Sequence, residues 1–228
     1  MQSVAESLKR LAELAESPPI SLVSQAFQAA GHDLALVGGP VRDAFLGREC
    51  TDLDLTTDAT PDQILAIVKP LADAHWDIGR AFGTIGAKIA GKTVEITTYR
   101  SDVYDQRSRK PAVKFGTTLE GDLLRRDFSV NALALRLPEL ILVDPAGGMD
   151  DLIKGTLRTP TSPEVSFGDD PLRMLRAVRF SAQLGFEVDE ETLRAMHEMA
   201  DRIEMISAER VNEELSKLLK TPSPRGGI

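Results

Sequence analysis

The chain has 228 residues, of which 42% are hydrophobic and 27% are charged, a composition typical of a globular protein with a buried core. Its formal net charge of -8 argues against broad, charge-driven binding of nucleic acid by the whole surface. No apolar run approaches the ~20 residues that a membrane span needs. A protein of this length forms one large domain or two small ones.

Cys50 is the single cysteine, which excludes an intrachain disulfide and a cysteine-based zinc site. The N terminus lacks the apolar segment of a secretory signal, and together these features favour a cytoplasmic location. Because Cys50 lies beside an acidic strand, its thiolate is disfavoured and we do not expect it to act as a nucleophile.

Short strand-like runs alternate with helical stretches from about residue 34 to residue 145. The predicted elements are, in chain order, a strand at LALV (34–37), a short helix in GGPVRDAFLG (38–47), a strand at DLDLTT (52–57), a helix after Thr60, a hairpin at AGKT (90–93), a helix at RRDFSVNALAL (125–135) and a strand at LILV (140–143). Pro40 suits the first turn of its helix, and Thr60 is a favourable N-cap residue.

Beyond residue 160 the pattern changes to helices with polar residues at their starts. Three helices are predicted, in DDPLRMLRAVRFSAQLG (169–185), DEETLRAMHEMADRI (189–203) and SAERVNEELSKLLK (207–220). The sequence therefore predicts a mixed α+β head over residues 1–155 and an all-helical part over residues 156–228.

Asp52 and Asp54 stand one residue apart in a run that otherwise predicts a buried strand. Residues i and i+2 of a strand point the same way, so the two carboxylates are predicted to share a face. Two carboxylates held together repel each other unless a cation lies between them. Mg²⁺ binds one or two carboxylates together with substrate phosphates, so the pair predicts a catalytic magnesium site. The alternative is a pair of solvated acids at a strand edge.

Glu95 is a candidate for a third acid of this site. It alternates with the apolar residues Val94 and Ile96 in what we predict to be a neighbouring strand. Two metal ions held by such acids could activate an attacking hydroxyl and neutralise a leaving pyrophosphate.

Gly38 and Gly39 form a twin-glycine turn between the first strand and its following helix. Glycines allow a backbone to approach a ligand closely, and the N-terminus of a helix favours a phosphate. Arg42 could reach the same anion with two hydrogen bonds. The alternative is a plain turn in which Arg42 pairs with Asp43 or with a helix end.

Arginines recur every three residues in the helix that follows residue 169. Asp170, Arg173, Arg176 and Arg179 form a stripe that drifts over half of the helix surface. Three arginines would repel one another unless they meet acids or phosphates. The alternative is a solvated face with salt bridges to Asp169 and Glu187.

Two further basic features suit a phosphate-rich substrate. In LLRRDFSV (123–130), one interpretation is that an arginine holds a triphosphate while Asp127 accepts from a ribose hydroxyl. The alternative is an Arg–Asp pair that caps a helix. The second feature is a basic stretch that contains Arg100, Arg107, Arg109, Lys110 and Lys114. Local basic features on an acidic chain indicate an enzyme that acts on a phosphate-rich substrate.

The ordered set of motifs resembles the class II tRNA nucleotidyltransferases (CCA-adding enzymes) and bacterial poly(A) polymerases. The resemblance covers about residues 34–220, nearly the whole chain. The segments that carry it are LVGGPVRDAFLGRECTDLDLTTDATPDQI, VEITTYRSD, GDLLRRDFSVNALAL, VDPAGGMDDL, DDPLRMLRAVRFSAQLGF and ISAERVNEELSKLL.

The resemblance implies a polymerase-β-like nucleotidyltransferase head with a mixed sheet, followed by an all-helical neck. It implies an enzyme that adds C or A from CTP and ATP to the 3′ end of tRNA, with Mg²⁺ as cofactor. Family members usually continue into body and tail domains that grip the tRNA. We therefore expect this chain to end before those domains, to bind nucleotide and to extend tRNA poorly.

The resemblance also implies roles for individual residues. Asp52 and Asp54 would bind the catalytic Mg²⁺. The nucleotide-binding residues would be Gly39 and Arg42 on the triphosphate, Arg126 and Asp127 on phosphate and sugar, Asp170 and Arg173 as the amino-acid template for the base, and Arg176 and Arg179 as supports. A carboxylate accepts from the exocyclic amine that cytosine and adenine share. Asp169 stands where family members often have Glu, which leaves Asp170 in place.

Three alternatives stay open at this point. A poly(A) polymerase would carry a stretch resembling G-R-R-F-R, where this chain has GRAFGTIGA (79–87). A partial enzyme would add only CC or only A. A non-catalytic RNA-binding or nucleotide-binding module would be expected to lack an acid at position 52 or 54, and both acids are present.

Overall fold

The structure is a computed structural model, and it describes residues 4–50, 52–102 and 113–227. The chain divides into two compact units: unit 1 is Met1–Leu123 with Asn131–Pro145, and unit 2 is Leu124–Val130 with Ala146–Ile228. The predicted domain division at residue 155 stays a prediction. The compact units are divided differently, because residues 124–130 and 146–155 belong to unit 2. Thr51 and the basic residues Arg107, Arg109 and Lys110 lie outside the described residues.

Unit 1 contains both helices and strands. Its helices are α1 (Val4–Glu16), α2 (Ile20–Ala29), α3 (Gly39–Leu46), α4 (Pro61–Val68) and α5 (Leu119–Leu124). Its strands are β1 (Leu34–Val37), β2 (Leu53–Thr57), β3 (Ala74–Trp76), β4 (Thr84–Ile89), β5 (Lys92–Thr98), β6 (Arg100–Asp102), β7 (Val113–Phe115), β8 (Ala134–Leu137) and β9 (Ile141–Val143).

Seven of these strands form one sheet in the order β3-β4-β5-β2-β1-β8-β9, and β6 pairs separately with β7. The strands β2 and β5 are parallel, whereas the other neighbours in the large sheet are antiparallel. The sheet is therefore mixed, as predicted. The predicted hairpin is confirmed, because β4 and β5 pair on either side of Ala90 and Gly91.

Local sequence explains where these elements begin and pack. All four residues of β1 are buried, as are Leu53 and Leu55 of β2. The helix α4 begins with the predicted cap: the Thr60 hydroxyl accepts from the Gln63 N–H, and the Gln63 side chain accepts from the Thr60 N–H at 2.9 Å. This reciprocal arrangement satisfies two backbone donors of the first turn.

Unit 2 is mainly helical. Its helices are α6 (Gly148–Lys154), α7 (Pro163–Asp169), α8 (Leu172–Leu184), α9 (Glu190–Glu198) and α10 (Ala208–Leu219), and a short parallel ladder joins β10 (Thr156–Leu157) to β11 (Glu187–Val188). The three predicted helices are confirmed as α8, α9 and α10. The helix α7 was not predicted. In its core, Phe167 of α7 packs with Met174 of α8 and Ala195 of α9.

One predicted helix is wrong. The segment RRDFSVNALAL forms a short 3-10 turn at Ser129–Asn131 and then enters β8. The Ser129 N–H donates to the Arg158 carbonyl at 2.8 Å and its hydroxyl donates to Asp151 at 2.5 Å. These bonds to distant residues replace the local ladder that a helix would need. None of the helices in the described ranges has the length and apolar character to cross a bilayer.

Candidate active site

The glycine turn predicted from the sequence lies at the end of β1 in unit 1. Gly38 has φ 69° and ψ -121°, a backbone conformation open essentially to glycine. Its N–H donates to the Leu133 carbonyl at 3.0 Å, just before β8, so this donor is bonded within the protein. Gly39 begins α3, and a Cβ at Gly39 would lie 3.9 Å from an Arg42 nitrogen. Gly39 therefore borders the Arg42 guanidinium.

Arg42 is buried and already engaged. Its Nε and one terminal nitrogen donate to the two carboxylate oxygens of Asp43 at 2.9 and 3.0 Å. The other terminal nitrogen donates to the Asn131 side chain at 2.6 Å. The pairing of Arg42 with Asp43 is the alternative that the sequence left open. Asn131 joins this group through a contact 89 residues away in the chain, which sequence spacing does not reveal.

The paired acids lie at the start of β2. The strand begins at Leu53, one residue later than predicted, so Asp52 immediately precedes it and is exposed. Asp54 is half-buried, while Leu53 and Leu55 are buried on the other face. β1 pairs Leu36 with Leu55, so the chain enters the glycine turn at the level of Asp54. The acids and the turn are therefore neighbours, as the sequence indicated.

Glu95 lies directly across from Asp54. The parallel register of β2 and β5 pairs these two residues, which places their side chains on one face of the sheet. Within the described ranges, no group of three or more His, Cys or acidic side chains is arranged to hold a metal ion. Asp54 and Glu95 thus share one face of the sheet, and Asp52 lies just before β2.

The pKa of the Cys50 thiol is raised by burial and by the negative charge of these acids. Burial, followed by the charges of Asp43, Asp52 and Asp54, raises its pKa from 9.0 to about 11. Its Sγ also donates to the Asp52 carbonyl at 3.0 Å. The prediction that the thiolate is disfavoured is confirmed. Mg²⁺ prefers oxygen ligands such as carboxylates. The side chains of Asp52 and Asp54 therefore fit this ion.

The predicted sugar-binding pair lies in unit 2. Asp127 is buried, and its Oδ2 accepts from Nε and NH2 of Arg176 at 2.9 and 2.6 Å. Its Oδ1 accepts from the Phe128 N–H at 2.8 Å. The carboxylate of Asp127 holds the pKa of Arg176 above its usual value. Asp127 therefore does form an Arg–Asp ion pair, and the arginine in it is Arg176 of α8.

Asp170 and Arg173 flank the junction of α7 and α8. The Asp170 Oδ1 accepts from the Leu172 N–H at 3.2 Å, and its Oδ2 accepts from Arg210 at 2.8 Å. Arg173 is buried and donates to the carbonyl and hydroxyl of Ser166 at 3.4 and 2.9 Å and to the Arg125 carbonyl at 2.6 Å. These bonds occupy three of the five N–H groups of Arg173.

Arg179 is buried on the same helix, α8. It pairs with buried Glu214 of α10, donates to Gln183 at 2.7 Å and lies 3.9 Å above the Phe180 ring. The alternative of a solvated arginine face is wrong, because Arg173 and Arg179 are buried. Two acids that meet the stripe are Asp127, which pairs with Arg176, and Glu214, which pairs with Arg179.

The architecture and the ordered motifs define a nucleotidyltransferase-type head with a helical neck. The sequence profile described as "Poly A polymerase head domain" matches residues 34–158. A second profile, described as "Probable RNA and SrmB- binding site of polymerase A", matches residues 185–228. The chain therefore belongs to the poly(A) polymerase head-domain family, which includes the class II tRNA nucleotidyltransferases.

Curated relatives agree with this assignment. The chain is 40% identical over 201 residues to the CCA-adding enzyme of Geobacillus sp. (strain WCH70), covering 88% of this chain and 48% of the relative. It is 41% identical over 201 residues to the CCA-adding enzyme of Bacillus subtilis (strain 168), covering 87% and 49%. The chain thus spans about half the length of the curated relatives it matches.

Solved structures of CCA-adding enzymes share the fold. The Bacillus stearothermophilus enzyme in complex with CTP matches with a TM-score of 0.81 and 36% identity, over 90% of this chain and 50% of that one. The Thermotoga maritima enzyme complexed with tRNA_CCA matches with a TM-score of 0.76 and 27% identity, over 99% and 52%.

Proposed function

We propose that the chain is the nucleotidyl-transferring part of a tRNA nucleotidyltransferase that adds C, A or both from CTP and ATP to the 3′ end of tRNA. The observation that carries the proposal is the pairing of Asp54 with Glu95 on one face, beside Asp52 and the glycine turn. A chain 40% identical to a CCA-adding enzyme supports the choice of reaction. The predicted cytoplasmic location stays a prediction.

In the proposed reaction the terminal 3′-hydroxyl oxygen of the RNA attacks the α-phosphorus of the nucleotide in line. A new P–O bond forms as the bond from the α-phosphorus to the bridging oxygen breaks, pyrophosphate leaves, and the proton of the attacking hydroxyl passes to water. Mg²⁺, when bound, would polarise the attacking hydroxyl and neutralise charge on the phosphates. Asp52 and Asp54 would hold it, and Glu95 would add negative charge beside Asp54. The proposal needs no side-chain nucleophile, and catalysis consists of positioning and charge neutralisation.

The base of the nucleotide is assigned to unit 2. A half-buried Asp170 would accept from the exocyclic amine of cytosine or adenine. Arg173 would donate from the N–H groups that the bonds to Ser166 and Arg125 leave over. Because those bonds fix the guanidinium, its remaining donors have a defined direction, which suits discrimination between bases.

The other predicted residues differ in how directly they can act. Gly39 and Arg126 are proposed to contact the triphosphate. Arg42 is hydrogen-bonded to Asp43 and Asn131, so we propose that it stabilises the glycine turn. Its positive charge would also attract the phosphates. Asp127 with Arg176 would contact the sugar as a preformed pair. Arg179 would support the nucleotide through the position of α8.

The decisive test offers the chain tRNA that lacks its 3′ end with each labelled nucleotide in turn, beside calorimetric titrations with the nucleotides. The proposal expects incorporation of C, A or both, and none of G or U. Long A tracts on any RNA would indicate a poly(A) polymerase instead. Nucleotide binding without any transfer at high protein concentration would favour a non-catalytic module.

A further inference from the structure

The indole of Trp76 lies on the same face of the sheet as the proposed catalytic acids. The register pairs Trp76 with Gly86, Gly86 with Glu95, and Glu95 with Asp54, so the four residues form one row across β3, β4, β5 and β2. Residues that pair directly across neighbouring strands place their side chains on one face. The row therefore carries two carboxylates and one aromatic ring.

Gly86 provides the space for this ring. A Cβ at Gly86 would lie 2.1 Å from Nε1 and 2.2 Å from Cε2 of Trp76, which no real side chain tolerates. The indole thus lies directly over the Gly86 backbone, where any other residue would have its own side chain. Because β3 is an edge strand of the large sheet, the ring also lies at the sheet edge.

The spacing of the row suits a nucleotide. Neighbouring strands lie about 4.8 Å apart, so Gly86 is about 10 Å from Asp54 along the row. A nucleotide whose ribose hydroxyl lies beside the acids can therefore place its base along this row, towards the indole. Trp76 is half-buried, which leaves part of the ring accessible. Aromatic rings beside a catalytic groove bind unpaired bases by stacking.

We propose that Trp76 is a stacking platform for the 3′-terminal base of the RNA acceptor. The inference rests on the proposed function, which assigns the base of the incoming nucleotide to Asp170 and Arg173 of unit 2. The acceptor base, whose ribose supplies the attacking hydroxyl, is assigned to the acids of unit 1. Ile78 and Phe82, which follow Trp76 in the chain, are 89% and 56% exposed and extend the apolar surface of this segment.

Trp76 is the single tryptophan of the chain, so intrinsic fluorescence reports on this ring alone. The chain is titrated with an acceptor-stem minihelix that ends in unpaired CC, and separately with CTP and ATP. A dye on the 5′ end of the RNA follows binding by anisotropy. Stacking of the acceptor base predicts that the minihelix quenches the fluorescence while CTP or ATP alone does not. Binding of the minihelix without quenching, or quenching by CTP alone, overturns the inference.

Variants at and near Trp76 distinguish a role in binding the RNA acceptor from a role in binding the incoming nucleotide. Trp76→Ala should raise the KM for the minihelix about tenfold, as loss of one base stack does, and leave the KM for CTP unchanged. Gly86→Ala should copy this effect by displacing the indole. Trp76→Phe, which retains a ring, should restore most of the affinity. Ile141→Ala, which changes an exposed apolar residue on the opposite edge strand β9, is the control. If Trp76→Ala extends RNA with an unchanged KM, the inference fails and the proposed function stands. If the unaltered chain neither binds nor extends RNA, the proposed function is wrong. The inference about Trp76 is then wrong too, because it rests on that function.

Discussion

Asp170 accepts a hydrogen bond from Arg210 of α10 at 2.8 Å, although 40 residues separate the two in the chain. The aspartate that is proposed to read the base is therefore held by a neighbouring helix as well as by the Leu172 N–H. The geometry of the carboxylate thus depends on α10, which the sequence indicated only as a helix.

Arg210→Ala should alter nucleotide choice with little loss of stability. Exposed ion pairs contribute about 0–1 kcal/mol, so the free energy of unfolding should change within that range. The ratio of kcat/KM for CTP and ATP over UTP and GTP should fall by several-fold, because Asp170 loses one of its two fixed contacts. Lys217→Ala removes another exposed pair of α10, with Glu213, and serves as control. Equal selectivity in both variants would show that Arg210 does not position Asp170.

Asp54→Ala should abolish transfer and preserve the fold. The loss should exceed about a hundredfold, since changes to residues that only support a metal ligand already cost 10–100-fold. Asp58→Ala removes an exposed acid just beyond the other end of β2 and should retain activity. Circular dichroism checks that the variant is folded. Incorporation of labelled nucleotide measures its activity. Retained Mg²⁺-dependent incorporation in Asp54→Ala would remove the acids from the mechanism.

Glu214→Ala should destabilise unit 2 strongly. The side chains of Glu214 and Arg179 are 4% and 10% exposed, and removing one partner of a buried ion pair costs about 3–5 kcal/mol. Glu213→Ala, one residue away and exposed, should cost less than about 1 kcal/mol. Urea unfolding measures both. The double variant Arg179→Met with Glu214→Leu should regain much of the loss, because no charge is then left buried alone.

Gly38→Ala and Gly39→Ala should separate backbone strain from ligand binding. Gly38 has φ 69°, so a side chain there should cost about 1–3 kcal/mol in the free energy of unfolding. A Cβ at Gly39 meets only an Arg42 nitrogen at 3.9 Å, so that variant should be nearly as stable as the unaltered chain. If Gly39 contacts the triphosphate, Gly39→Ala should still weaken CTP binding in calorimetry. Unchanged affinity would remove Gly39 from the binding residues.

The raised pKa of Cys50 predicts slow alkylation at neutral pH. Burial and the negative charges of Asp43, Asp52 and Asp54 favour the neutral thiol, so iodoacetamide should react with a rate midpoint near pH 11. The folded pKa exceeds the ordinary value of 9.0, so Cys50 should not affect the free energy of unfolding below pH 9. That free energy should fall as the pH rises from 9 towards 11, because the unfolded chain releases the thiol proton first. Asp52→Asn should lower the midpoint. An unchanged midpoint would mean that Asp52 exerts no field on the thiol.

Features encoded in short segments could be predicted from the sequence. Gly38 marked the turn because only glycine suits its conformation, and Thr60 marked a helix start because its hydroxyl caps the first turn. The alternation around Glu95 placed it in a strand, and the register with Asp54 followed from the fold. These predictions rest on residues within a few positions of one another.

Partners that come from distant segments could not be predicted. Glu214 meets Arg179 from 35 residues away, and Asn131 meets Arg42 from 89 residues away. The arginine stripe predicted that acids or phosphates lie beside it. The sequence suggested Asp169 and Glu187, because they are close in the chain, and did not indicate Asp127 or Glu214. The segment 125–135 has helical spacing, yet the bonds of Ser129 to Asp151 and Arg158 direct it into a turn and a strand.

The route of the backbone through the two units limits how the protein can be dissected. Leu124–Val130 belongs to unit 2, while Asn131–Pro145, which supplies β8 and β9, belongs to unit 1. Neither unit can be expressed as one uninterrupted stretch of the gene. A fragment that ends before residue 131 loses two strands of the large sheet, and one that begins at residue 146 lacks Asp127, the acid that neutralises Arg176.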